Sequence, residues 1–131
     1  QIGHQSWMPE NLKVTHYNNG DAIPTGLDND AWSSTEEGAY AVYDDIESIA
    51  DTYGYLYNWY AVGDERGICP ENFHVPSDEE FMTLEMFLGM SESEANSTGY
   101  RGTNEGSKFA GNADLFHSCI HVELHLFCNA L

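Results

Sequence analysis

Three histidines and two cysteines crowd the C-terminal stretch: His117, Cys119, His121, His125 and Cys128. Read with a period of two, Ile120, Val122, Leu124 and Leu126 share one face, and His117, Cys119, His121, Glu123 and His125 share the other. Read with the helical period, Ile120, Leu124, Phe127 and Leu131 line one side and His117, His121, His125 and Cys128 another. The cleaner alternation and the lack of a capping residue favour the strand. Either spacing suits Zn2+ or Ni2+, so His117, His121 and His125 are candidate metal ligands. The competing reading is a polar strand face with solvated imidazoles. A second chemistry lies upstream. Residues 14–65 hold eleven carboxylates and no Lys or Arg, which leaves the acidic groups of this segment without a cationic partner. Asp21, Asp28 and Asp30, set among turn carbonyls, are the candidate oxygen ligands for a hard cation such as Ca2+. The EF-hand pattern is absent, and plain solvation is the alternative. Asn96-Ser97-Thr98 is a glycosylation sequon, making Asn96 a candidate acceptor in a compartment with that machinery. No nucleophile elbow, phosphate loop, dinucleotide fingerprint or zinc-protease motif occurs, so no enzyme is expected.

Composition narrows the partners. Four Lys and Arg stand against 22 Asp and Glu, a net charge of −18. Such a chain has no basic patch to neutralise phosphates, which argues against nucleic acid and against an anionic membrane surface. No apolar run is long enough for a membrane-spanning helix, so no membrane insertion is expected. With 13% aromatic residues the chain is not a disordered acidic tail. Its 131 residues fit one domain, 1–131. It opens at Gln1 without a leader, which reads as a processed chain or an internal fragment.

These groups must be positioned by a mixed set of elements. Ile2–Thr15 reads as extended. Asn18-Asn19-Gly20 is a turn, because Asn and Gly tolerate positive φ. Ile23–Glu37 reads as loop, broken by Pro24, Gly26 and Ser33-Ser34. Ala39–Tyr43 has strand composition. In Asp51–Val62, Leu56, Trp59 and Tyr60 fit one face of a helix stopped by Gly63. Ser77-Asp78-Glu79-Glu80 is a capping box opening a helix that Gly89 ends. Phe81, Leu84, Phe87 and Leu88 form its apolar face, which is expected to pack on the Trp59 helix. Met82, Met86 and Met90 read as core filling beside it. Trp7 and Trp59 read as core residues, with Trp32 open between core and surface. Ser91–Asp114, polar and rich in Gly, reads as a long loop.

Three blocks resemble a known family. They are Ile2-Gly3-His4-Gln5-Ser6-Trp7-Met8-Pro9-Glu10-Asn11-Leu12, then Tyr53-Gly54-Tyr55-Leu56-Tyr57-Asn58-Trp59-Tyr60-Ala61-Val62, then Cys69-Pro70 through Phe73-His74-Val75-Pro76-Ser77-Asp78-Glu79-Glu80-Phe81. In this order they resemble the Fibrobacter succinogenes major paralogous domain over about residues 1–114. That family occurs in secreted and surface proteins of Bacteroidota and related bacteria. The resemblance implies an α+β, C-type-lectin-like fold, with two helices against short antiparallel strands, and an extracellular or cell-surface location. It brings no catalytic residues. Residues 115–131 depart from the family's usual ending, so its second half reads as truncated or replaced. Among the disulfide candidates Cys69, Cys119 and Cys128, the last two face opposite ways on a single strand. Cys69 with one of them is the better pairing, standing in for the family's link between its Cys-Pro loop and a C-terminal strand.

The expected function is a non-catalytic secreted or surface structural module that assembles with copies of itself, into a homo-oligomer or a filament. A lectin-like core without its closing strands leaves edges to be covered, either by residues 115–131 of the same chain or by a neighbour's. The alternative is a lectin-like module that binds carbohydrate or another ligand, with or without Ca2+. No other cofactor is expected.

Overall fold

In the computed structural model, residues 1–99, 101–110 and 128–130 are described. They are built from short helices and two-residue antiparallel strands. Among them no helix is long and apolar enough to cross a membrane. They fall into two compact units.

One unit holds residues 1–6 and the described residues of 76–110. Its main element is the helix Asp78–Leu88, numbered α4 because three α-helices of the other unit precede it in the chain. The expected capping box is present. The Ser77 hydroxyl accepts from the Glu80 N–H, and the Glu80 carboxylate accepts from the Ser77 N–H at 2.7 Å. Gly89, at φ +119, closes the helix in a left-handed conformation that a side chain would strain. Leu84 is buried, whereas Phe87 is 64% exposed and Met86 is exposed too; only Met90 of that stripe is fully buried. The apolar face is therefore narrower than its spacing predicts. The helix packs on two others, α5 (Glu92–Ala95) and α6 (Glu105–Ala110). Both lie where the sequence reads as loop. The missed signal for α5 is a second capping box, Ser91 with Glu94. Glu85, 1% exposed, is neutralised by Arg101, whose guanidinium nitrogens lie 3.1–3.2 Å from its carboxylate. Lys108 donates to the carbonyl of Leu88 at 2.6 Å, satisfying an end carbonyl of α4.

The second unit holds residues 7–75 and the described residues 128–130. Its core is Leu12, Tyr17, Ile23, Tyr57, Ala61, Ile68, Cys69 and Cys128, with Met8, Val14, Tyr40 and Phe73 packed around it. α1 (Asn29–Ser34) forms inside the expected loop, because the Asp28 carboxylate caps it by accepting from the Ala31 N–H at 2.8 Å. β2 (Tyr40–Ala41) pairs antiparallel with β3 (Leu56–Tyr57), Tyr40 opposite Tyr57. The helix expected over Asp51–Val62 is split into three elements. α2 (Glu47–Tyr53) ends at Gly54, whose φ of +73 leaves the helical region. β3 follows, and α3 (Trp59–Val62) begins afresh with Asn58 as its cap. Tertiary bonds impose the break. The Tyr57 hydroxyl accepts from the Val14 N–H at 2.7 Å and donates to the Val14 carbonyl at 2.8 Å, which draws this residue into extended backbone.

The three described residues of the tail lie in this second core. Cys128 is bonded to Cys69 across 59 residues, with Cα atoms 5.8 Å apart. Asn129 exchanges both backbone hydrogen bonds with His74, at 2.8 and 2.9 Å. β4 (Asn129–Ala130) follows Cys128, whose carbonyl accepts at 3.2 Å from the N–H of Met8, the residue after β1 (Ser6–Trp7). These residues thus pair within their own chain.

Candidate functional site

The turn at Tyr17–Asp21 starts the site. Gly20 takes φ +92 and its N–H donates to the Tyr17 carbonyl, while the Tyr17 N–H donates to Asp21, both at 2.9 Å. Asn18 fastens this turn to a second loop: its side-chain amide donates to the Cys69 carbonyl at 2.9 Å and its N–H to Gly67 at 3.0 Å. Arg66 is thereby set against the turn. Its guanidinium grips Asp64 through Nε at 2.8 Å and a terminal nitrogen at 2.7 Å, and its other terminal nitrogen reaches Asp21 at 3.0 Å. The same group lies 3.9 Å from the centre of the Tyr17 ring, a cation–π contact. The Arg66 bonds hold the Asp64 carboxyl down to about 2. Asp21 is also lowered, first by the Asn19 amide and then by Arg66. The Tyr17 hydroxyl is pushed up, chiefly by burial.

Asn58 builds the opposite wall. Its carbonyl oxygen accepts from the N–H groups of Ala61 and Ala39, each at 3.0 Å, and its amide donates to the Glu37 carbonyl at 2.8 Å. One side chain thus caps α3 and ties it to residues 37–39. Between the two walls lies an open groove of about 480 Å³, lined by Ala22, Pro24, Glu36, Glu37, Gly38, Tyr60, Asp64 and Arg66. Gly38 is required where it stands, since a Cβ there would run into the Tyr17 hydroxyl and come within 3.0 Å of Ala61 Cα. Tyr60 is 46% exposed, and its neighbour Trp59 is 78% exposed. The core reading of Trp59 is therefore corrected, for the same reason that its helix is shortened: starting α3 at Asn58 turns this residue outward. Trp7 is buried as expected, and Trp32 is half-buried. The groove offers carboxylate acceptors, a guanidinium already shared between two acids, and aromatic surface.

The acidic segment is less bare of cations than its own composition implies. Lys13 and Arg66 flank it and reach in, Lys13 to Asp51 at 3.7 Å and Arg66 to Asp21 and Asp64. Asp21 is thus engaged by Arg66 and Asn19, and Asp28 by its cap. Asp30 stands in the first turn of α1, where its carbonyl accepts from the hydroxyls of Ser33 and Ser34. Among the described residues no three His, Cys, Asp or Glu come together to hold a metal ion, so Asp21, Asp28 and Asp30 are not assembled into a ligand set. His117, His121, His125 and Cys119 lie outside the described residues. Asn96 ends α5 and is exposed, its amide donating to the Glu92 carbonyl at 2.8 Å. Arg66, Asp64, Glu36 and Glu37 carry no site expectation from the sequence, and Tyr60 is expected there only as part of a helix face. One signal did point there: Arg66 is the sole cation between Lys13 and Arg101, and a lone cation amid acids is expected to be shared by them.

No curated protein and no solved structure matches the chain. The sequence pattern of the Fibrobacter succinogenes major domain matches residues 1–124. The match runs past residue 114, beyond the blocks that carry the resemblance. With all but the last seven of 131 residues covered, the chain belongs to the Fibrobacter succinogenes major domain family.

Proposed function

We propose that the chain is a non-catalytic, extracellular or surface-exposed binding module of C-type-lectin-like architecture, and that the groove beside α3 takes a carbohydrate. The observation that carries this reading is Tyr60, which lines the groove and is 46% exposed, with Trp59, 78% exposed, preceding it in α3. A sugar presents apolar C–H faces and hydroxyl edges together. Indole and phenol rings cover the former, and carboxylates and guanidinium bond the latter. The Cys69–Cys128 disulfide supports the location, since such bonds persist in oxidising compartments. Glycan-array screening with Trp59→Ala and Tyr60→Ala tests the reading. Binding lost in both variants, with a blue shift of Trp59 fluorescence on saturation of the parent, is expected. No glycan bound by the folded parent would refute it. Adding EDTA to the same screen reads out any dependence on Ca2+.

A second reading, self-assembly into an oligomer or filament, is favoured by Phe87 and Met86, which expose apolar surface on α4. All four cations already have partners within the chain, so the charge of −18 opposes contact between copies. Assembly should therefore strengthen with salt. Light scattering at micromolar concentration decides: a monomer at low and high salt removes this reading, and Phe87→Ser dissolving an oligomer supports it.

A further inference from the structure

We propose that Asn19 is a site of spontaneous deamidation by cyclisation onto the Gly20 nitrogen, and that its conversion sets a second carboxylate beside Asp21 and Arg66 at the edge of the groove. Of the ten asparagines, Asn19 alone is followed by glycine. The attacking residue then carries no Cβ to obstruct ring closure, and nothing lies within 4 Å of where one would stand. Both residues are exposed. Two bonds restrain the reaction in the closed turn: the Gly20 N–H donates to the Tyr17 carbonyl at 2.9 Å, and the Asn19 side-chain oxygen accepts from the Asp21 N–H at 3.0 Å. Solvent-exposed turn bonds of this kind open locally without global unfolding.

The chemistry balances with water as the one co-reactant. The Gly20 nitrogen attacks Cγ of Asn19, forming an N–C bond. The Cγ–Nδ2 bond breaks, and the side-chain nitrogen leaves as ammonia with the proton lost by Gly20. Water then opens the five-membered imide at either carbonyl, leaving aspartate or isoaspartate at position 19.

The consequence follows from which atoms change. The Asn19 amide now donates to the Asp21 Oδ2 at 2.9 Å, the same oxygen that takes Arg66 at 3.0 Å. After conversion an acceptor replaces that donor, and two carboxylates face each other. The new carboxylate competes for the guanidinium, and the isoaspartate product also lengthens the backbone of the turn. The Asn19 amide is the largest influence lowering the Asp21 carboxyl, so its loss reverses that influence. Arg66, which lines the groove, is then shared among the carboxylates of Asp64, Asp21 and position 19.

Peptide mapping of the full chain, incubated at neutral to mildly alkaline pH, tests the site. Asn19 should convert several-fold faster than any of the other nine asparagines, yielding the separable aspartate and isoaspartate peptides. Gly20→Ala should slow it. Asn19→Gln, which leaves Gly20 in place, should abolish it. Conversion of Asn19 no faster than the rest would overturn the site. For the coupling, the Asp21 carboxyl is titrated by NMR in Asn19→Asp and in the parent. Its pKa should rise in the variant, and an unchanged value would overturn that half of the proposal.

Discussion

Removing the Cys69–Cys128 bond should cost this chain a large share of its stability. The bond closes 59 residues of sequence, and the chain-entropy relation assigns a loop of that length roughly 4 kcal/mol. A domain of ordinary stability has only about 5–15 kcal/mol in total. For a chain of this size each 1 kcal/mol shifts the melting midpoint by about 3–5 °C, so reduction should lower it by about 12–20 °C. The two cysteines also lie in the core, Cys128 at 0% exposure, so substitution adds a packing loss that reduction does not. Urea unfolding of three species separates the effects: the oxidised parent, the parent in reductant, and Cys69→Ala/Cys128→Ala with and without reductant. The first two should differ by about 4 kcal/mol by the same relation. The double variant should be insensitive to reductant. Mass mapping of the oxidised parent should link the Cys69 and Cys128 peptides and leave Cys119 open to alkylation. Overlapping curves for oxidised and reduced parent, or a Cys69–Cys119 linkage, would refute the reasoning.

Other perturbations follow from named contacts. Ser77→Ala and Ser91→Ala each remove one member of a capping box and should each lower stability by about 1 kcal/mol in chemical denaturation, additively if the two helices unfold together. Arg101→Met leaves Glu85 buried without its partner. It should cost about 3–5 kcal/mol at neutral pH, with Glu85→Gln in the same background recovering part of the loss. Gly54→Ala places a Cβ 2.6 Å from that of Asn11 and 2.7 Å from the Leu12 carbonyl, at φ +73. It should exceed the roughly 1–3 kcal/mol of strain for a side chain in that essentially glycine-only backbone region alone, and a smaller loss by calorimetry would show that the Asn11 segment yields. The Arg66 clasp should respond to acid. The Asp64 carboxyl is held down at about 2 in the folded chain, so its contribution is full above the ordinary carboxylate range and is lost as pH falls from about 4 to about 2. NMR titration of Asp64 and the Arg66 side-chain signals reads this directly, and an Asp64 midpoint near 4 would contradict it.

The sequence alone determined those features whose causes lie within a few residues. The capping box at Ser77, the stop at Gly89 and the turn at Asn19-Gly20 are local hydrogen-bonding and φ preferences, and they appear where the pattern places them. The family blocks were legible for the same reason, being contiguous runs. The helices α1 and α5 were equally local, announced by Asp28 and by Ser91 with Glu94, and were masked only by the polar residues around them. Tertiary structure decided the rest. Tyr57 bonds Val14 across 43 residues, and that contact breaks the helix that the aromatic spacing suggests and turns Trp59 to solvent. Arg66 meets Asp21 across 45 residues, and Cys69 meets Cys128 across 59. Periodicity reports which side of an element is apolar. It carries no information on which distant backbone group, acid or thiol will satisfy a given donor, cation or cysteine. That choice is made by packing, because most buried polar groups must find a partner within the fold, and in this chain the walls of the groove are built from such long-range pairings.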